Sequence, residues 1–333
     1  MGRVAAMMLL LLLQLCAVLV HTGYAFPNVT MPVSSLKRPL DGEGPNVIQR
    51  QVEMAWQPVP DAEWLGLFNV SPPQKAQDAA PLVRWSASEH PGGCFRANVT
   101  LPRQEYPNGW NKGSEDEPVE GDACMPFWLA IYDKNDELLH SDCIKIRPTW
   151  MADHREELEN LTVADLFIPG TNGSDTYNGS VMENTSERHG CYVLTQDTDV
   201  WGQLVHGIRY IDIDVRDHPG NKTTTYAPAT QDDDGYRQIV NVDAVRDILE
   251  EIKAYLKKAH SEIIVLDIHD FEGPAGNRCL LLSMVYSVLG HFISPFNSVS
   301  YNSTLAEVWK TGVNLIVTYN NPETMEGLRV PPI

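Results

Sequence analysis

Apolar and polar positions follow two different rhythms along the chain. Between about Val52 and Trp150 the apolar residues come in short runs, "LVRWSA", "CFRANVTL" and "FWLAIYD", rich in β-branched and aromatic side chains. Turn clusters such as "EHPGG" and "DKNDE" separate these runs, and no long 3.6-residue period is present. This pattern predicts a small β-sandwich over 52–150, preceded by a Pro-rich, polar and loose segment over 26–51. After "IRPTWM" strand-like runs alternate with helix-like ones, the signature of βα units. The predicted strands are Val163–Ile168, Ile208–Val215, Glu262–Ile268 and Asn314–Tyr319, with another near Thr223–Ala229. Val245, Ile248, Leu249, Ile252 and Leu256 form one helical stripe, with Asp243 placed to cap it, and Thr304–Thr311 opens a shorter helix. So few βα units fall short of the eight in a closed barrel. Either the sheet is open or the chain stops inside a barrel. The ending "EGLRVPPI", with no element that would seal an edge, favours a C-terminally incomplete TIM-barrel-like α/β domain over 155–333.

Composition adds a compartment. The first 25 residues place one Arg before an apolar run, with Gly23 and Ala25 at small-residue spacing, which reads as a signal peptide. The run is short for a membrane anchor, and no later segment has the roughly twenty apolar residues of a span. Asn28, Asn69, Asn98, Asn160, Asn172, Asn178, Asn184, Asn221 and Asn302 each begin an N-x-S/T acceptor pattern, Asn69 the poorest because Pro72 follows it. The expectation is a secreted, extracellular glycoprotein with no stable membrane span. Cys16 leaves with the leader, and Cys94, Cys124, Cys143, Cys191 and Cys279 remain. Secreted cysteines usually pair, but an odd number cannot all pair within one chain. Their spacing suits neither a zinc site nor a C-x-x-C redox motif. The formal charge of −19 disfavours nucleic acid as a partner.

Parallel α/β folds build their sites at the C-terminal ends of strands. Those ends collect Thr171, Asn172 and Ser174, then Asp212, Asp214 and Arg216, then the turn "QDDDG" from Gln231, then Asp267 and His269. Side chains alternate faces along a strand, so Asp212, Asp214 and Arg216 share one face, as do Asp267 and His269. Convergent carboxylates call for a divalent cation, a guanidinium or water. The chemical reading is a metal or phosphate site; the plain alternative is an internal Asp–Arg network that orders the barrel mouth. His206 and His218 flank the second strand and read as surface residues, and Asp232–Asp234 as a solvated turn. The chain carries no G-x-S-x-G elbow, P-loop or G-x-G-x-x-G, which removes the common hydrolase, NTPase and dinucleotide readings.

At these residues the chain resembles the X domain of phosphatidylinositol-specific phospholipase C, and more narrowly the secreted animal PI-PLC X domain-containing proteins. "LFIPGTNGSDTY" is similar to the family's IPGTH strand-end motif, "TQDTDVWGQLVHGIRYIDIDVR" from Thr195 to its TQD…RYLD motif, and "EIIVLDIHDF" from Glu262 to its EIV.LD.H.F strand. "LIVTYNN" resembles a later barrel strand. The resemblance runs from about Asn160 to the end. "DAEWLGLF" and "CIKIRPTW" resemble the β-domain that precedes X in the secreted members. It implies a phosphoric diester hydrolase acting on an inositol phospholipid or a related phosphodiester. One imidazole takes the proton from the attacking 2-hydroxyl and a second donates one to the leaving oxygen. A cation or an Arg steadies the phosphate.

Carried over residue by residue, the resemblance puts Asn172 at the first histidine and Gly173 at the neighbouring acidic or amide position. It puts Asp234, ahead of Gly235, at the second histidine. Asp212 and Asp214 match the acidic pair of calcium-using members, whereas members without calcium have Arg at the Asp214 position. The later acidic ligand falls near His269, with Asp267 close by. Arg216, Thr171 and Ser174 are left as phosphate or substrate contacts. Asn172 cannot act as a base, and Asp234, with an ordinary carboxyl pKa, is a poor general acid at neutral pH. The leading expectation is therefore a disabled enzyme that keeps a phosphate- or inositol-binding cleft. One alternative is an active hydrolase using His269 or Asp234; another is a non-catalytic recognition module working through the N-terminal β-domain.

Overall fold

The computed structural model describes residues 29–30, 33–37, 47–56, 59, 61–90, 94–102, 105–177, 195–217, 226–228, 243–272, 275–295 and 298–319. The leader, the two predicted turns carrying His218 and Asp234, and Asn28, Asn178, Asn184, Asn221 and Cys191 lie outside these residues. The strands are β1 (Val29–Thr30), β2 (Val33–Lys37), β3 (Val47–Trp56), β4 (Trp64–Phe68), β5 (Val83–Ser86), β6 (Cys94–Thr100), β7 (Ala123–Tyr132), β8 (Leu138–Ile146), β9 (Gly170–Thr171), β10 (Tyr210–Asp217), β11 (Tyr226–Pro228), β12 (Ile264–Glu272) and β13 (Leu315–Tyr319). The α-helices are α1 (Trp150–Asp153), α2 (Arg155–Leu158), α3 (Val200–Val205), α4 (Asp243–Leu256), α5 (Ala275–Leu289) and α6 (Leu305–Lys310).

The chain divides into two compact units. One holds residues 52–97 and 126–144 together with the N-terminal 1–32, and the other holds 33–51, 98–125 and 145–333. In the first unit an antiparallel sheet runs in the order β5-β4-β7-β8. β4 is buried at every position, because its Trp-Leu-Gly-Leu-Phe sequence has no polar residue to turn outward. Trp64 stacks on its cross-strand partner Tyr132 at 4.4 Å between ring centroids. Gly66 leaves room for that packing, since a Cβ there would come within 2.7 Å of both Trp64 and Phe68.

The second unit carries a mixed five-stranded sheet. β9, β10, β12 and β13 are parallel, and β11 adds antiparallel to β10. Ile211, Ile213, Val215, Leu266 and Ile268 are buried, and so is the predicted apolar stripe of α4. Helix α4 packs on α3, α5 and β11. Segment 98–125, expected within the N-terminal domain, joins this unit because its polar groups bond there. Trp201 Nε1 donates to Trp110 O at 2.9 Å, and Lys258 Nζ reaches the carbonyls of Gly109, Ser114 and Asp116.

Two expected elements differ. Val163–Ile168 is not a strand: Val163–Asp165 is a 3-10 turn closed by a capping box between Thr162 and Asp165. Strand pairing begins only at Gly170, where the backbone comes against Tyr210. The strand near Thr223–Ala229 is present as β11 but runs antiparallel, so it is not a βα unit. Helix α5 was not foreseen, because its "LLLSMVYSVL" run is apolar around the whole helix and shows no 3.6-residue stripe. Cys124 and Cys143 are disulfide-bonded, and Cys279 is free and exposed. Among the described residues no helix is long and apolar enough to cross a membrane.

Candidate functional site

The stretch from Pro169 to Thr176 forms a tight turn against the first residues of β10. Pro169 O accepts from Arg209 N and Tyr210 N at 2.9 and 3.2 Å. Gly170 is needed at the contact, since a Cβ would sit 3.0 Å from Tyr210 Cβ and 3.3 Å from its carbonyl oxygen. Gly173 takes the left-handed conformation, φ 56°, which a glycine reaches at little cost. Its N–H donates to Asp212 Oδ2 at 3.2 Å. Ser174 then exchanges two bonds with the Asp212 backbone: its N–H donates to Asp212 O at 2.8 Å, and its Oγ accepts from Asp212 N at 3.0 Å.

Thr171 Oγ1 donates to Gln203 Oε1 at 2.6 Å, and Gln203 Nε2 donates to Ser174 O at 2.9 Å. Ser174 is fully buried and Thr171 half-buried, so both hydroxyls brace the turn. Gln203 on α3 is a bracing residue that strand-end reasoning did not single out. Asn172 stands exposed at the apex, with its carbonyl oxygen accepting from Gln196 Nε2 at 2.9 Å.

Asp212 on β10 is directly beside Asp267 on β12, and Asp214 follows on the same face of β10. The strands then slip by one residue. Asp214 pairs with Asp270 rather than with His269, and Arg216 with Glu272. Alternation of faces beyond Asp267, as expected for His269, is therefore interrupted by a bulge. For Arg216 and His269 only the backbone position is described.

Asp267 is well engaged: Tyr210 OH donates to its Oδ2 at 2.6 Å and Thr318 Oγ1 to its Oδ1 at 2.7 Å. The unforeseen member is Asp175. It is 1% exposed, and neither carboxylate oxygen has a hydrogen-bond partner. Burial pushes its carboxyl well above the usual range, and the charges of Asp214 and Asp212 push the same way. Asp212 Oδ1 is also buried without a partner. The "NGSDTY" spelling offered the Asp but no sign that its turn would fold inward. Among the described residues no group of three or more His, Cys, Asp or Glu is placed to hold a metal ion. Asp267 is engaged by two hydroxyls and Asp212 Oδ2 by the Gly173 amide.

About half of the chain matches known proteins. Human PI-PLC X domain-containing protein 3 is 24% identical over 201 residues, covering 53% of this chain and 59% of that protein. The human PI-PLC X domain-containing protein 2 is 26% identical over 195 residues, covering 52% and 60%. The chain is thus similar in sequence to PI-PLC X domain-containing proteins. Its match spans well under two thirds of the length of either of those PI-PLC X proteins. A PI-PLC X-box domain-containing protein of Dictyostelium discoideum is 27% identical over 161 residues, covering 44% of this chain and 20% of that one. The phosphatidylinositol-specific phospholipase C of Listeria monocytogenes aligns with a TM-score of 0.38 at 21% identity, over 52% of this chain and 57% of that one, which is too low for a fold assignment. No protein-family model matches the chain.

Proposed function

We propose that this chain is a secreted glycoprotein whose strand-end cleft binds an inositol-phosphate or related phosphodiester group and hydrolyses it little or not at all. The observation that carries the reading is Asn172, exposed at the apex of the turn that follows β9. The resemblance puts the proton-accepting histidine there, and an amide cannot fill that role near neutral pH. Asp175, the neighbouring carboxyl with a raised pKa, is too buried for a substrate to touch. Loss of one general acid–base group costs about 10²- to 10⁴-fold.

In this reading the parallel strands belong to a TIM-type barrel with its cleft at their C-terminal ends, and the N-terminal strands form a β-sandwich. Residues 1–25 are removed as a signal peptide. Asn98, Asn160, Asn172 and Asn302 are exposed and suited to carry glycans. A glycan on Asn172 would narrow the cleft mouth.

The test is phosphatidylinositol cleavage by the purified chain, with calcium and with chelator, beside an Asn172→His variant. No turnover by the natural chain together with inositol-phosphate binding that competes at the cleft is the expected result. Calcium-dependent turnover by the natural chain that is lost in Asp212→Asn would overturn it.

A further inference from the structure

Two glycan-acceptor patterns that lie far apart in the sequence meet in the fold. Thr162, the hydroxyl residue of the Asn160 pattern, forms an antiparallel bridge with Thr304, the hydroxyl residue of the Asn302 pattern. Around that bridge Val163 N donates to Ser303 O at 3.0 Å, Ala164 N to Tyr301 O at 2.9 Å and Leu305 N to Leu161 O at 2.9 Å. Asn160 and Asn302 are both exposed. Beneath the junction Val163, Leu166 and Ile168 pack with Leu305 in one apolar cluster. The packing that takes Leu166 and Ile168 inward leaves Phe167, between them, fully exposed. Tyr301, directly before Asn302, is 74% exposed, and Leu161, directly after Asn160, is exposed as well. At about 200 Å² for an aromatic side chain, Phe167 and Tyr301 present on the order of 350 Å² to solvent. The largest apolar patch on a monomer is roughly 300–600 Å², so side chains exposed to this extent call for a cover.

We propose that the cover is the chain's own carbohydrate: the N-linked glycans of Asn160 and Asn302 lie over Leu161, Phe167 and Tyr301, with the C–H face of a sugar ring against an aromatic ring. The inference rests on the secreted-glycoprotein reading, in which both acceptors are already modified. Each acceptor adjoins an exposed apolar residue in sequence, and the Thr162–Thr304 bridge brings both to one junction. A sugar ring offers apolar C–H groups on its face and hydroxyls at its rim, so it shields an aromatic ring while its own polar groups stay in water. A protein partner fits the junction less well. A stable interface takes about 800 Å² from each side, and here it would have to include two positions that carry bulky glycans.

The experiment measures the fluorescence of the anionic apolar dye bis-ANS with the full chain secreted from eukaryotic cells, beside a chain carrying both Asn160→Gln and Asn302→Gln and an Asn98→Gln control. The acceptors are removed at Asn because Thr162 and Thr304 each close a capping box. Peptide mass spectrometry reads occupancy, and circular dichroism melting checks that each variant folds. Expected are at least about a threefold rise in dye fluorescence for the double variant and no rise for Asn98→Gln. Adding Phe167→Ser and Tyr301→Ser to the double variant should return the signal to the natural level. Should the double variant fail to fold, N-glycosidase treatment of the natural folded chain decides, read against a Phe167→Ser, Tyr301→Ser chain treated likewise. That treatment turns each modified Asn into Asp, which repels the dye, so a rise there is the stricter result. Occupied acceptors whose loss gives no rise, or a rise that survives the two Ser substitutions, overturn the inference alone. Glycans found elsewhere but not on Asn160 or Asn302 also overturn it, and a secreted chain with no glycan at all overturns the glycoprotein reading with it.

Discussion

Asp175 sits in a place where water cannot reach it and no donor answers it, so its two protonation states differ sharply in energy. Its folded carboxyl is raised above the unfolded value of 3.8, first by burial and then by Asp214 and Asp212. A raised acid contributes stability that is fully present below the unfolded pKa and is lost as pH rises through the folded one. Urea midpoints measured across this window should therefore rise as pH falls from neutral. Asp175→Asn should flatten that part of the profile, since an amide does not titrate. An unchanged slope in the variant would mean that another group carries the dependence. Asn172 makes the complementary case. Its effect on chemistry could be read from the sequence, because it needs only the identity of a side chain at a recognised motif. The burial of Asp175 could not, because it depends on how the Gly173 turn folds against Asp212.

Elements meet at a buried ion pair. Arg209 at the start of β10 donates from Nε and Nη2 to Glu262 Oε2 at 2.7 and 2.5 Å, and both side chains are fully buried. The remaining guanidinium donors reach Leu204, Ile208 and Pro148 carbonyls, while Glu262 accepts from the amides of Met151 and Ala152 at the start of α1. One node thus ties α1, α3, β10 and the approach to β12. Arg209→Met leaves a buried carboxylate unpaired, and denaturant unfolding should show a loss of about 3–5 kcal/mol. Pairing it with Glu262→Leu should recover much of that loss. Gly170→Ala tests the contact between β9 and β10. Its new Cβ crowds Tyr210 backbone and side chain, and a loss of about 1–3 kcal/mol is expected by the same measurement. A loss below that range would show that the turn shifts freely.

For the whole molecule the pressing prediction concerns route and processing. Expressed through a eukaryotic secretory pathway, the chain should appear in the medium beginning after Ala25 and lose mass on treatment with an N-glycosidase. Mass spectrometry should find glycans among the exposed acceptors Asn98, Asn160, Asn172 and Asn302. Retention of the leader in an intracellular product would contradict this. Occupancy at Asn172 has a further consequence, because an Asn172→His variant removes the acceptor as well as supplying an imidazole. A Ser174→Ala control is unsuitable for separating these effects, since Ser174 Oγ braces Asp212. Enzymatic deglycosylation of the natural chain before the binding assay separates them.

The sequence alone determined what short-range rules can encode: the α4 stripe with its buried Val245, Ile248, Leu249, Ile252 and Leu256, the α6 helix behind its Thr304–Glu307 capping box, and the strands β10, β12 and β13. It also carried the motifs by which the chain resembles PI-PLC X domain-containing proteins. Tertiary structure decided the rest. Helix α5 lacks an amphipathic period because it is apolar all round, and the 3-10 turn at Val163 follows from a local cap that overrides β-branched residues. The bulge after Ile213 breaks the alternation that would have set His269 beside Asp267's face, and the join of segment 98–125 to the second unit depends on bonds to residues about 90 to 150 positions away. Periodicity records which face of an element is apolar. Register, close backbone approach and the burial of a lone carboxyl arise only when elements distant in sequence are packed together.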